Sequence, residues 1–282
     1  MEFDNLITNP FGFGERLILE LLRRGESVFA IFPTAKDVPM SFLGKKNIKY
    51  GFCKLEHDPI LEKILPRRIK HVFHLFEAYS GRFSKLFKAN ALATLLLLDW
   101  AKAAGVQSFT YLSSGEVYGT GENIEEGAAL EPRGFYGTTK FQAEMLLRFY
   151  KRSFTISIVR LFFPFGHGLE QGFVFDLARS IEAGEPFQSA YNKVSPSFAD
   201  DAVLPLINAR DQKEGDIYNI CGSETSVAVL AEKIGEAIGK APKRVEAGKH
   251  VLTGSSKQAR EKIGYAETVF DDAIGRSFAH MK

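Results

Sequence analysis

The feature that narrows the fold most is an alternation running through the first 160 residues: short, continuously apolar runs separated by stretches with helical periodicity. Val28–Phe32, Val72–Leu75, Phe109–Ser113 and Thr155–Leu161 are apolar along most of their length rather than at every second residue. That is the pattern of strands covered on both faces. Between them, apolar residues 17, 18, 21 and 22 of the segment 15–24 recur at helical spacing, and Gly25 stands where a C-terminal cap belongs. Asn90–Ala104, closed by Gly105, and Tyr136–Arg152 read as further helices. Strand–helix alternation with right-handed crossovers gives an α/β protein with a doubly wound parallel sheet.

After residue 165 the pattern changes. Gly166, Gly168 and Gly172 interrupt the chain, helices follow at Val174–Ala183 and Ser226–Gly239, and Ile217–Ile220 reads as a strand returning to the main sheet. The expected organisation is a Rossmann-like dinucleotide domain over 1–165 and a small C-terminal substrate lobe over 166–282. With 36 Lys and Arg against 34 Asp and Glu the net charge is +2, so a nucleic-acid partner is not expected. The longest apolar run, near Leu95–Leu98, stops at Asp99, far short of the roughly 20 residues of a membrane span. The two cysteines, Cys53 and Cys221, make no disulfide framework, and the acidic start has no basic leader. The expectation is a cytoplasmic protein. No metal site is expected: His71 and His74, three apart on a strand, face opposite sides.

A strand, a Gly-containing turn and a helix at the N-terminus is where such folds bind pyrophosphate, through backbone N–H groups at a helix start. Here the turn reads Thr8-Asn9-Pro10-Phe11-Gly12-Phe13-Gly14-Glu15. GxGxxG does not fit. Either Asn9 and Glu15 end an irregular GxxGxxG, or the turn is one residue short and Gly14 is its last glycine. Thr8, Asn9, Gly12 and Gly14 are the candidate phosphate contacts. An acid after the second strand would accept from the adenosine ribose, but Phe32-Pro33-Thr34-Ala35-Lys36 has none. Thr34 and Lys36 could meet a 2′-phosphate, which favours NADP over NAD.

The other end of the site is more regular. Tyr136 and Lys140 stand four apart at the start of a helix and so share a face. A cation beside a phenol lowers its pKa, and a tyrosine so acidified can exchange a proton with a substrate hydroxyl or ketone. Ser113-Ser114 ends a parallel strand, the edge where these folds place ligands, and a hydroxyl there can orient the substrate oxygen.

Several segments carry a family resemblance in the right order. They include His74-Leu75, Asn90, the run 111–119 (Tyr-Leu-Ser-Ser-Gly-Glu-Val-Tyr-Gly), Tyr136-Gly137-Thr138-Thr139-Lys140, Arg160-Leu161, Phe165-Gly166, Asp200-Asp201, Tyr218-Asn219-Ile220 and the run 259–265. Over essentially its whole length the chain resembles an extended short-chain dehydrogenase/reductase of the nucleotide-sugar epimerase/dehydratase branch. The resemblance implies Ser114, four residues before Tyr118, as the active serine. It implies Tyr136 as acid/base, Lys140 as the ribose-binding lysine, and Asn90 near the active site, where it could equally cap its helix; Asn90 counts with Tyr136 and Lys140 among the cofactor contacts. Glu116 matches a glutamate that removes a sugar proton in dehydratases, although Gly115 replaces the aspartate of the dTDP-glucose dehydratase type. The implied activity is an NAD(P)-dependent epimerase, dehydratase or 4-ketoreductase working through a 4-keto nucleotide sugar. A homodimer packed through helices 90–104 and 136–152 is implied too, and Phe141, Met145, Leu146, Phe149 and Tyr150 give the second helix more apolar residues than one stripe needs.

The departures from the family cluster at the nucleotide. The glycine turn is short, the acid after strand two is missing, and Phe76-Glu77 replaces small residues where a cofactor ribose would lie. Lys54 stands in place of an aspartate and Phe163 in place of an asparagine. A non-catalytic dinucleotide-sensing or interaction protein of the same fold is the competing expectation.

Overall fold

The computed structural model describes residues 2–57 and 60–281; Met1 and Lys282, the outer bounds of the two expected units, lie outside them. In chain order the strands are β1 (Glu2–Ile7), β2 (Val28–Phe32), β3 (Ile48–Phe52), β4 (Arg68–His74), β5 (Ser108–Ser114), β6 (Gly121–Ile124), β7 (Thr155–Leu161), β8 (Phe187–Gln188), β9 (Tyr191–Val194), β10 (Ile217–Ile220), β11 (Thr225–Ser226), β12 (Val245–Glu246) and β13 (His250–Gly254). The helices are α1 (Phe13–Arg23), α2 (Leu61–Ile64), α3 (Phe83–Phe87), α4 (Ala93–Ala104), α5 (Phe135–Leu147), α6 (Phe173–Ala183), α7 (Val203–Arg210), α8 (Val227–Ile238), α9 (Lys257–Ile263) and α10 (Phe270–Phe278).

Seven parallel strands form the main sheet in the order β3–β2–β1–β4–β5–β7–β10. The strand order reverses between β1 and β4, and in such a sheet the crevice outside the strand ends at that reversal receives ligands. The expected strand at Ile217–Ile220 does return, pairing parallel to Ile158–Leu161. Both faces are covered, as the apolar strands require. Leu17, Ile18 and Leu21 of α1 join Leu206 and Ile207 of α7 and Ile263 of α9 over one face. Leu97, Leu98 and Trp100 of α4 join Ala143 and Leu147 of α5 over the other. Among the described residues no helix is long and apolar enough to cross a membrane.

Asn90 does not open a helix. α3 runs through a π-turn at Lys88–Leu92 directly into α4. A capping residue needs extended backbone, whereas Phe87 and Leu92, flanking the π-turn, both have helical φ and ψ. At the other end Gly105 is left-handed at φ 69°, as its sequence position suggests.

The division at residue 165 is also blurred. The small lobe is built on a sheet ordered β11–β9–β13–β6, so β6 crosses into it from the first half. Conversely α7, α9 and Tyr265 belong to the core of the main sheet. The reason is apolar coverage: α1 alone cannot cover its face of a seven-stranded sheet, and the later helices complete it. The lobe has its own core, in which Val174 and Leu177 of α6 meet Leu230 and Ile234 of α8 and Ile274 of α10.

Candidate active site

A cleft of about 410 Å³ opens at the carboxyl ends of the central strands, between the main sheet and the loop 168–172 leading into α6. Asn9, Gly12, Ser114, Glu116 and Tyr136, all named from the sequence, line it. Lys140 lies directly behind, fully buried. Glu15, Glu77, Tyr79 and Glu170 line it as well. Thr8, Gly14, Thr34, Lys36 and Asn90 are not among its walls.

Thr8 and Asn90 have other work. The Thr8 hydroxyl accepts from the N–H groups of Leu75 (3.0 Å) and Phe76 (3.1 Å) and lies 2.9 Å from Nδ1 of His74. His74 Nε2 lies 2.9 Å from the Thr94 hydroxyl, which itself donates to the Asn90 carbonyl at 2.7 Å. With the Thr94 proton so placed, Nε2 must carry the imidazole proton and Nδ1 must accept from Thr8. Burial holds His74 neutral, with its pKa pushed down to about 3. The chain thereby ties the end of β1 to the end of β4 with a neutral histidine, and Thr8 is a seam residue rather than a phosphate ligand. Asn90 accepts from Ala78 N–H (2.8 Å) and donates to the Ala78 carbonyl and the Thr139 hydroxyl (2.9 Å each). Its amide clasps the loop after β4 to α5, which corrects its assignment as a cofactor contact.

Ser113 and Ser114 both reach the cleft but differ in their partners. Ser113 donates to Glu144 at 2.6 Å, inside the core. The Ser114 hydroxyl accepts from Glu116 N–H at 3.1 Å and caps the short turn Gly115–Tyr118. Glu144 also receives Arg160, through Nε at 3.0 Å and Nη2 at 2.6 Å. Arg160 Nη1 donates to the Tyr118 hydroxyl at 2.6 Å, which donates to Asn219 at 2.8 Å. Arg160, Tyr118 and Asn219, three of the recognisable motif residues, are therefore one buried scaffold beneath the cleft.

Tyr136 and Lys140 meet a residue whose role the sequence reading did not assign. Tyr136 donates to Oε2 of Glu77 at 2.8 Å, and the same oxygen lies 3.0 Å from Lys140 Nζ. Lys140 also donates to the Leu112 carbonyl at 2.6 Å and sits over the Tyr111 ring, 4.7 Å from its centroid. Burial works against its charge, but Tyr111 and Glu77 hold its pKa above the usual lysine value. The expectation of an acidified Tyr136 is overturned. Burial, and then the charges of Glu77 and Glu116, hold its phenol well above the usual value, because the carboxylates outweigh a lysine already paired. Burial pushes Glu116 up to about 7, against a contact with Tyr79 that lowers it. The one signal for Glu77 was an acid among residues usually small, read there only as crowding.

At the nucleotide end the turn has the shape of a phosphate loop and the wrong contents. A Cβ on Gly14 would sit 2.0 Å from the Asn9 carbonyl oxygen, so only glycine lets α1 start this close to β1. That favours Gly14 as the last glycine of a shortened turn. Gly12, at φ 55°, caps α1. The N–H groups of Gly14 and Glu15, however, donate to the Phe11 and Gly12 carbonyls, and the Glu15 carboxylate, which accepts from Ser41, lines the cleft in the first turn of α1. A helix N-terminus attracts an anion, and here the chain supplies one. Past β2, Thr34 donates through N–H and hydroxyl to Asp37 Oδ2, both at 2.8 Å, and Lys36 is exposed. Thr34 is thus already engaged, and an acid does follow β2, five residues on.

Among the described residues the walls carry Glu15, Glu77, Glu116 and Glu170 and no lysine, arginine or histidine. With Glu77 on both Tyr136 and Lys140, neither of those two side chains is free, as arranged, to meet the hydroxyls of a cofactor ribose.

The fold and cleft define a class: a doubly wound parallel sheet with a serine, a tyrosine and a helical lysine gathered at the carboxyl ends of its strands. The family model described as the NAD dependent epimerase/dehydratase family matches residues 12–221. The chain belongs to that family. It is 29% identical over 182 residues to a UDP-glucose 4-epimerase of Haemophilus influenzae, across 57% of this chain and 53% of that protein; it spans about half the length of such curated relatives. Among solved structures, MoeE5 in complex with UDP-glucose and NAD is 26% identical, with a TM-score of 0.82 over 98% of this chain and 97% of the other. The UDP-glucuronic acid 4-epimerase of Bacillus cereus in complex with NAD shares the fold, at 20% identity and a TM-score of 0.85 over 99% and 96% of the two chains.

Proposed function

We propose that this chain is an enzyme that moves protons on a nucleotide-linked sugar, with Glu116 as base, Tyr136 as the neutral acid and Ser114 as the hydroxyl that orients the reacting oxygen. The observation that carries this is that Ser114, Glu116 and Tyr136 line one cleft, with burial holding both the Glu116 carboxyl and the Tyr136 phenol toward their protonated forms. The carboxyl, the more acidic of the two groups, is the one that can act as base near neutral pH, and the phenol, held protonated, is the one that can act as acid. The sugar class comes from the likeness to MoeE5, whose structure holds UDP-glucose. A 4-keto sugar would need NAD or NADP, as its family does, and so would need Glu77 to leave Lys140. Thr34, bonded twice to Asp37, is not free to meet a 2′-phosphate, so the preference for NADP read from the sequence rests on exposed Lys36 alone. Heating purified protein and identifying any released dinucleotide by mass spectrometry, beside NMR of UDP-glucose and UDP-glucuronic acid incubations, tests the assignment. No sugar turnover and no dinucleotide would favour the non-catalytic reading, to which the placement of Glu77 also points.

The pH profile is a sharper test. Activity should rise as pH passes through about 7, where Glu116 loses its proton, and Glu116→Gln should abolish that limb. Stability should move the other way. The folded value lies above the ordinary 4.5, so the folded chain keeps this proton longer than the unfolded chain. Stability therefore falls as pH rises from about 4.5 to about 7, and urea midpoints of Glu116→Gln should lack that share of the decline.

The assembly follows from exposed apolar residues. Phe149 and Met145 on the α5 side and Phe83 and Phe87 of α3 face solvent, while Phe141 packs into the lobe and Tyr150 is buried. Symmetric pairing through these helices would cover them, and sedimentation at micromolar concentration should give a dimer; a monomer would refute it.

A further inference from the structure

We propose that Glu77 is a built-in occupant of the site: its carboxylate holds Tyr136 and Lys140 where a ligand's hydroxyls would bind, and a ligand using those two residues enters only by turning Glu77 out. This rests on the dinucleotide-binding reading of the cleft. One oxygen, Oε2, serves both partners, at 2.8 and 3.0 Å. Lys140 is 1% exposed and Glu77 24%, so the carboxylate stands between the buried ammonium and solvent.

The charge balance explains why it stays there. A buried ammonium without a counter-charge is costly. A neutral hydroxyl is also a weaker acceptor than a carboxylate, since hydrogen bonds to ionised groups are roughly twice as strong. A ligand offering hydroxyls to Lys140 therefore competes with a better partner already in place.

The backbone on either side of Glu77 is pinned. Phe76 N–H is held by Thr8, and both Ala78 N–H and its carbonyl by Asn90. The loop cannot swing as a lid, and the moving part is the Glu77 side chain. Thr8 and Asn90, which make no wall of the cleft, act here by fixing where that side chain starts.

The experiment compares NAD with ADP by calorimetric titration of the wild type and Glu77→Gln. ADP shares the adenosine diphosphate half of NAD and lacks the nicotinamide ribose. Glu77→Gln keeps an acceptor for Tyr136 and removes the charge that holds Lys140, so NAD should bind about tenfold tighter or more, with ADP affinity unchanged. Glu77→Asp keeps the charge that balances Lys140 and stretches the contact; it provides a folded variant if the glutamine variant fails, and should bind NAD more tightly than the wild type. Equal NAD affinity in wild type and variants, or an equal gain for ADP, overturns the occupant while leaving the dinucleotide site standing. Failure of NAD and ADP to bind any of the three at millimolar concentration overturns both.

Discussion

Glu144→Ala should destabilise the protein by about 3–5 kcal/mol, the usual result of removing one partner of a buried ion pair. Both side chains are 2% exposed. The substitution strands the Arg160 guanidinium over the Tyr118 ring and leaves Ser113 without its acceptor. The loss is one of uncompensated charge, so the double variant Glu144→Leu/Arg160→Met should recover most of it. Urea denaturation of the three proteins measures this; a cost under about 1 kcal/mol for Glu144→Ala would show that water or another carboxylate takes over.

Tyr136→Phe should lower turnover by about 10²–10⁴ with a nearly unchanged urea midpoint. The ring keeps its packing against Tyr79, 4.8 Å away between centroids, and only the hydroxyl that donates to Glu77 is lost. Full activity in this variant would remove Tyr136 from the chemistry and transfer the acid role to another group of the cleft. A collapse of stability with the activity would instead mark the Tyr136–Glu77 contact as structural.

The parallel sheet was legible because it is dictated by local pattern: strands buried on both faces are apolar throughout, and Gly105 can end a helix in the left-handed conformation. Ser114 and Glu116 were legible through the family resemblance, and Tyr136 also through its four-residue spacing to Lys140; strand ends and a helix start bring all three to one cleft. The arrangement around Lys140 was not. Its partner Glu77 sits 63 positions away in a loop with no periodicity, and the sign of the Tyr136 shift depends on which charge lies nearer. Asn90 misled because asparagine favours helix starts, and only the π-turn, invisible in sequence, places its amide on Ala78. The engaged state of Thr34 likewise needed the three-dimensional turn that brings Asp37 back to it.

The crossing of β6 into the small sheet bears on how the chain is made. Parallel β13 lies between β9 and β6, and Asn123 N–H is held by Thr253 across 130 residues. Closing so long a loop costs entropy before any contact rewards it. During synthesis the N-terminal strands can pair as they emerge, but β6 has no strand to pair with until residues near 250 leave the ribosome. Hydrogen exchange pulsed during refolding should therefore protect β1, β4 and β5 before β6, and a chain truncated before β13 should leave β6 without a partner strand.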